Sequence, residues 1–191
     1  MNHVSSVLAS AALAALLYVA PAQTLAGDQG NHGDHDSDRN RWSTAQDEAE
    51  IAKLTTTYAW AVDAKDIDQM MSIFARNAVY DLSAYGFPNV VGYENIRNMF
   101  IYGVFPSEKC SFSSISNVRV QVKGNRAEGG DYFMHFGYDG KNGPLTRHHV
   151  EGQHFYKFVK EKGQWKISWM QGHPTFEKVE EYDPELMRHC P

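Results

Sequence analysis

Apolar residues recur at helical spacing through Ile51, Leu54, Tyr58, Ala61 and Val62, which predicts an amphipathic helix. Ser43-Thr-Ala-Gln-Asp-Glu48 gives it a start, with acids in the first turn where the helix dipole favours negative charge. The pattern breaks at Ala64-Lys-Asp66, and Ile67, Met70, Met71 and Phe74 restart it as a second helix. Ala78 to Leu82 reads as a short strand, and Tyr93 to Tyr102 as a third helix. From Ser111 onward the pattern turns to strands, running Ser111 to Lys123, Arg126 to Tyr138, Leu145 to Lys160 and Gln164 to about Gln171. The segments between them, Lys123-Gly-Asn125, Asp139 to Pro144 and Glu161-Lys-Gly163, carry the Gly, Asn and Asp chemistry of hairpin turns. Three helices followed by four long successive strands predict an α+β domain in which helices wrap a curved antiparallel sheet.

The two ends of the chain read differently. Val7 to Ala20 is an apolar run too brief to span a bilayer comfortably, and small residues follow at Ala20-Pro-Ala22 and Thr24-Leu-Ala26. Residues 1–26 therefore read as an export signal, which predicts a periplasmic or secreted protein. His3 is the only side chain before the run that can carry positive charge, so an uncleaved anchor is the competing reading. Residues 27–43 hold almost no apolar side chain and read as a flexible spacer. His32, His35 and the aspartates among them lack the preorganisation of a metal site. Residues 44–191 form the expected domain. In an exported protein Cys110 and Cys190, the only cysteines, can join as one disulfide or stay as two thiols. A net charge of -5 without a basic stripe gives no reason to expect a nucleic-acid partner.

Candidate chemistry begins on the first helix with Tyr58 and Asp63. A carboxylate at the mouth of an apolar pocket becomes a stronger base, whereas at an exposed helix end it is only a solvated residue before a turn. Five residues of helix turn Tyr58 about 140° away from Asp63, so both can serve one cavity only if that cavity caps the helix end. A phenol placed there can donate to a developing enolate; otherwise Tyr58 is a core aromatic. On the strands, alternation puts His148, Val150, Gly152, His154, Tyr156 and Phe158 on one face and His149, Glu151, Gln153, Phe155 and Lys157 on the other. Asp131, Phe133 and His135 likewise share a face. His148 and His149 point oppositely and His148 and His154 are far apart along one strand, which argues against a zinc site.

The helix, break, second helix and strand, together with Gly163-Gln-Trp165-Lys-Ile-Ser168 and the closing Phe176 to Pro184, resemble SnoaL-like proteins of the nuclear-transport-factor-2-like superfamily. The resemblance covers Glu48 to Asp183, and the Tyr58–Asp63 spacing is most similar to bile-acid 7α-dehydratase. It implies a cone-shaped α+β fold enclosing a pocket, in which Asp63 matches the recurrent catalytic aspartate and Tyr58 the pocket tyrosine. Counting back from Trp165, His154 falls where scytalone dehydratase carries a pocket amide. The Tyr138-Asp-Gly-Lys141 turn resembles one in the bile-acid enzyme and places Phe133 at a pocket-acid position, with His135 on the same side. His173 falls near a pocket arginine of the relatives. Trp60, Phe133, Met170 and His173 are the expected substrate contacts.

One departure stands out. Relatives, hexachlorocyclohexane dehydrochlorinase among them, carry a histidine in the strand after the third helix, and Phe112 and Ser113 stand there instead. Either His154 or His135 supplies the imidazole from a neighbouring strand, or the chemistry differs. The resemblance implies a lyase without cofactor or metal, a dehydratase acting on a small hydrophobic, ring-containing molecule. The alternatives are an isomerase of the ketosteroid-isomerase type and an exported, non-catalytic binding protein. It also implies a homodimer or homotrimer, and the export signal predicts no membrane association after its cleavage.

Overall fold

The computed structural model describes residues 34–139 and 146–182. The expected export signal, the start of the spacer, Leu145 and Cys190 lie outside the described residues. Helix α1 runs Asp34–Ala64, beginning nine residues before the start that Ser43 predicts and taking in part of the expected spacer. Residues 34–42 contain neither glycine nor proline, so nothing in their backbone chemistry stops a helix that the packed turns after them have already nucleated.

Helix α1 ends as the sequence predicts. Lys65 adopts a left-handed backbone conformation (φ 53°), its N–H donates to Val62 O and the Asp66 N–H to Ala61 O. That is a Schellman-type stop made without glycine. Asp66 then caps α2, Ile67–Ser72, by accepting from the Gln69 N–H at 2.9 Å. Phe74, read from the sequence as the last apolar position of this helix, is instead the first residue of β1, Phe74–Asp81. The carbonyls of Ser72 and Ile73 are taken by Lys166 Nζ and the Ile167 N–H of the last strand. Tertiary partners thus outbid a helical continuation that local spacing permits.

After a short 3₁₀ turn at Ser83–Tyr85 and β2, Val90–Val91, the chain forms α3, Tyr93–Met99. It widens into a π-helical turn at Phe100–Val104 and closes with the single turn α4, Phe105–Ser107. The long strands are β3, Cys110–Lys123; β4, Arg126–Asp139; β5, Thr146–Glu161; and β6, Gln164–Glu181. They match the sequence reading except that β6 continues ten residues beyond Gln171. Pro174 is tolerated there because its pairing with Gly152 sits beside a register irregularity, where a missing N–H breaks no regular ladder.

The sheet order is β2-β1-β6-β5-β4-β3. It is a curved, unclosed sheet, and mixed where pure antiparallel pairing is expected, because β1 runs parallel to β6. A bulge in β3, with Asn117 at φ 53°, bends the outer strands. The sheet buries Tyr156, Phe158, Trp165, Ile167 and Met170 against Ile51, Met70, Ile96 and Phe100 from the helices. This is the α+β cone that the sequence predicts. Cys110, at the head of β3, is buried and disulfide-bonded.

Candidate functional site

A cavity of about 720 Å³ opens between the concave sheet face, α1 and the π-helical turn. Its wall is mostly apolar, with Val62, Leu82, Met99, Phe100, Val104 and Ile115 among the lining residues. Widened helical turns recur at functional sites, and here that turn contributes Phe100, Gly103 and Val104 to the wall. The polar groups reaching the wall include two separate hydrogen-bonded clusters, a phenol pair, Tyr85, Ser107 and His148, whose Nε2 lies 2.7 Å from Glu177 Oε1.

The first cluster joins β4 and β5. Asp131 and His154 are register partners, both almost fully buried, and their side chains meet at 2.9 Å between Oδ1 and Nδ1. The other Asp131 oxygen accepts the Tyr156 hydroxyl at 2.9 Å. An ionised carboxylate has no proton to give, so His154 donates from Nδ1, and in its neutral form it carries its lone pair on Nε2. Among the described residues Nε2 has no hydrogen-bond partner, and His154 lines the cavity. Phe133 stacks on the imidazole with ring centroids 4.2 Å apart and fixes its plane.

The second cluster starts at Asp63. One of its oxygens accepts the hydroxyls of Ser111 and Ser113 at 2.9 and 2.8 Å, and the other accepts the Ser113 N–H at 2.7 Å. Ser113 Oγ lies 2.9 Å from His135 Nδ1, and His135 Nε2 lies 3.0 Å from Glu108 Oε1. Ser113, His135 and Glu108 line the cavity, whereas Asp63 stands behind Ser113 and does not. The imidazole nearest Asp63 in this cluster is that of His135, the register partner of Ser113 on β4, with the serine hydroxyl bridging the two.

Two backbone features hold Glu108 in place. Lys65 Nζ donates to the carbonyls of Glu108 and Lys109, tying the end of α1 to the segment that carries the carboxylate. Gly137 on β4 leaves the room, since a Cβ there would overlap the Glu108 carboxylate.

Tyr58 and Tyr80 face each other with hydroxyls 2.6 Å apart, and both line the cavity. Burial pushes the Tyr58 phenol well above the ordinary value of 10.0, and the neighbouring Tyr80 adds to the rise. Burial also raises Tyr80, partly offset by its hydrogen bond with Tyr58. Tyr156 is raised by burial and then by the Asp131 charge. These phenols stay neutral donors. The folded values exceed the unfolded one, so the stability they contribute is complete below about pH 10 and is lost as pH rises through the folded values. The expected result is a melting temperature that these groups leave unchanged below pH 10 and that falls above it. Phenolate absorbance should appear for Tyr58, Tyr80 and Tyr156 only with unfolding. Complete tyrosine ionisation near pH 10 in a still-folded protein would contradict this.

Of the expected site residues, Tyr58, His135, His154 and Phe133 meet at the cavity wall. Trp60 does not: it is 71% exposed, because two helical positions turn it some 200° from Tyr58. Met170 is buried in the core opposite Tyr156 and does not line the cavity. His173 is exposed on β6, near Phe155. Glu108 and Tyr80 were not singled out by the sequence reading; Tyr80 alone carried a signal, as the aromatic residue of the predicted strand Ala78 to Leu82.

Residues 43–171 match the SnoaL-like domain family. The chain belongs to that family. No protein of curated function matches it. A solved candidate aromatic ring hydroxylase from Novosphingobium aromaticivorans is 27% identical, with a TM-score of 0.64 over 72% of this chain and 94% of its own. A candidate scytalone dehydratase from the same species is 18% identical, with a TM-score of 0.63 over 73% of this chain and 90% of its own. A hexachlorocyclohexane dehydrochlorinase from Novosphingobium barchaimii is 17% identical, with a TM-score of 0.64 over 77% and 99%. At those identities the last two establish that this SnoaL-like domain shares their fold.

Proposed function

We propose that this SnoaL-like domain is a cofactor-independent lyase that removes a proton next to a carbonyl and expels a leaving group from the adjacent carbon. The observation that carries the reading is the Asp131–His154 pair, which aims chemistry at an apolar cavity with one imidazole nitrogen unpartnered among the described residues. Such a histidine is a general base whose tautomer and plane are already set by Asp131 and Phe133. The neutral Tyr58–Tyr80 pair uses one hydroxyl proton internally and supplies the other as a donor for the oxygen on which enolate charge develops. The apolar lining and aromatic rings suit a small hydrophobic, ring-containing ketone. Named relatives of the same fold include a dehydrochlorinase and a candidate dehydratase, both eliminating enzymes by name. In this reading Asp63 orients the wall through Ser113 and does not take the substrate proton itself.

The test uses two ketones. The aldol of acetone and benzaldehyde carries a hydroxyl on the carbon β to the carbonyl, and its dehydroxylated analogue has no leaving group. The enzyme should convert the first to the conjugated enone, and should exchange the second's α-proton nearest the ring for deuterium from heavy water. Binding of both ketones without turnover or exchange would replace the lyase with the binding-protein alternative. The apolar run before Ala22 and Ala26 supports export of the same protein, and amino-terminal sequencing from the native host should find a start between Gln23 and Asp28. Intact Met1 in the cytosolic fraction would refute export.

A further inference from the structure

The proton inventory of the second cluster differs from that of the first. Asp63 accepts from two hydroxyls and a backbone N–H, so the Ser113 hydroxyl proton is spent on the carboxylate. The Ser113 oxygen can then only accept, and His135 Nδ1 must be the atom that donates to it. That leaves His135 Nε2 facing Glu108 Oε1 at 3.0 Å. A hydrogen bond between a lone-pair nitrogen and a carboxylate oxygen exists only if one proton lies between them. The pair is therefore loaded with a proton, either as imidazolium and carboxylate or as imidazole and carboxylic acid. Neutral His154, by contrast, donates from Nδ1 to Asp131 and keeps Nε2 as its lone-pair nitrogen. Two of the three histidines that line the cavity among the described residues thus carry complementary protonation states, set by their neighbours' hydrogen bonds. Environments that separate two titratable groups in this way assign acid and base.

Resting on the lyase reading, we infer that the Glu108–His135 pair is the general acid that protonates the departing group, so that the natural substrate is a β-hydroxy carbonyl compound losing water. Along β4, His135 stands four residues from Asp131, the register partner of His154, which separates the two groups by about 13 Å of strand. Phe133 lies between their positions on β4, stacks on His154 and also lines the cavity, so the base and the acid share one wall of the same cavity. His154 Nε2 takes the α-proton and the C–H electron pair becomes the new C=C bond. The C–O bond breaks with its pair on oxygen, and that oxygen takes the proton held between Glu108 and His135 to leave as water. Solvent then removes the proton from His154 and reloads the pair. The formal changes at the two carbons cancel, so no oxidant or reductant is needed. A halide leaves as a stable anion and needs no such donor, whereas hydroxide does.

The test compares two leaving groups on one carbon skeleton. The aldol of acetone and benzaldehyde loses water; its para-nitrophenyl ether loses nitrophenolate, which departs without protonation, and both yield the same enone. Glu108→Gln keeps the side chain's shape and removes its acid. It should slow water loss by roughly a hundredfold or more while nitrophenolate loss stays within about threefold of wild type. His154→Gln should slow both. Gly137→Ala, which crowds Glu108 without touching its chemistry, should reproduce the selective defect in a folded protein. Nitrogen-15 NMR of the imidazoles supplies a readout that needs no substrate: His135 Nδ1 should be protonated and His154 Nε2 bare. Equal slowing of both substrates by Glu108→Gln, or a His135 Nδ1 without its proton, overturns this inference and leaves the lyase reading standing. Failure of the wild type to release either leaving group overturns both.

Discussion

Asp131→Asn should lower the turnover number for loss of water from the aldol by about three to four orders of magnitude, with little change in substrate affinity. The carboxylate is buried and accepts from both His154 Nδ1 and the Tyr156 hydroxyl. An asparagine has one acceptor and one donor end. If its amide faces Nδ1, the imidazole proton must move to Nε2, and the cavity then meets an N–H where it met a lone pair. If its carbonyl faces Nδ1 instead, the Tyr156 hydroxyl is left opposite a donor, and the charge that steadies the imidazolium formed in the reaction is still gone. His154→Gln should fall as far, because it removes the base itself. Tyr156→Phe should cost far less, since it takes one hydrogen bond from Asp131 and leaves the tautomer alone. The measurement is steady-state kinetics with thermal melts as a control for folding. An Asp131→Asn enzyme within tenfold of wild type would remove this dyad from the mechanism.

That Asp131 matters more than Asp63 was only half legible in the chain. Strand alternation placed Asp131, Phe133 and His135 on one face, and His154 with Tyr156 on one face of another strand, because period two groups residues by face; which face looks inward came from the family resemblance. Register was not legible: nothing local says that Asp131 pairs with His154 or Ser113 with His135, since hairpin loop geometry and the β3 bulge set those offsets. Serine at position 113 read as a gap in the usual dyad, although a hydroxyl can bridge to an imidazole one strand further on. Glu108 gave no signal at all. It follows a short helix outside any periodic pattern, and its place depends on Gly137 lacking a Cβ and on a lysine 43 residues earlier. Trp60 was legible and misread, since a residue two positions from an inward tyrosine must face outward on a helix. The extension of β6 and the early end of α2 were decided by neighbouring strands, which local propensity does not see.

Asp63→Asn should also slow turnover, by roughly a hundredfold, but by a different route and with a stability cost. In the native site Asp63 accepts three hydrogen bonds and donates none. The amide that replaces it must turn its NH2 toward the backbone N–H of Ser113 or toward the two serine hydroxyls. The first choice sets donor against donor and should cost about 1–3 kcal/mol for the unsatisfied group. The second lets the amide donate to Ser113 Oγ, whose own proton then swings toward His135 Nδ1 and forces that nitrogen to accept. The imidazole proton moves to Nε2, and the hydrogen bond to Glu108 survives with the carboxylate ionised and the pair one proton poorer. Loss of water should therefore suffer while nitrophenolate loss does not, the same selectivity expected of Glu108→Gln, although Asp63 lies behind the cavity wall. Ser113→Ala should show that selectivity too, because it cuts the relay between Asp63 and His135 and removes only one small hydroxyl. If Asp63 instead takes the substrate proton directly, Asp63→Asn must slow both leaving groups alike and Ser113→Ala must spare the nitrophenolate reaction no more than the water reaction. The ratio of the two rates in these variants distinguishes a carboxylate that sets a neighbour's proton from one that acts on the substrate itself.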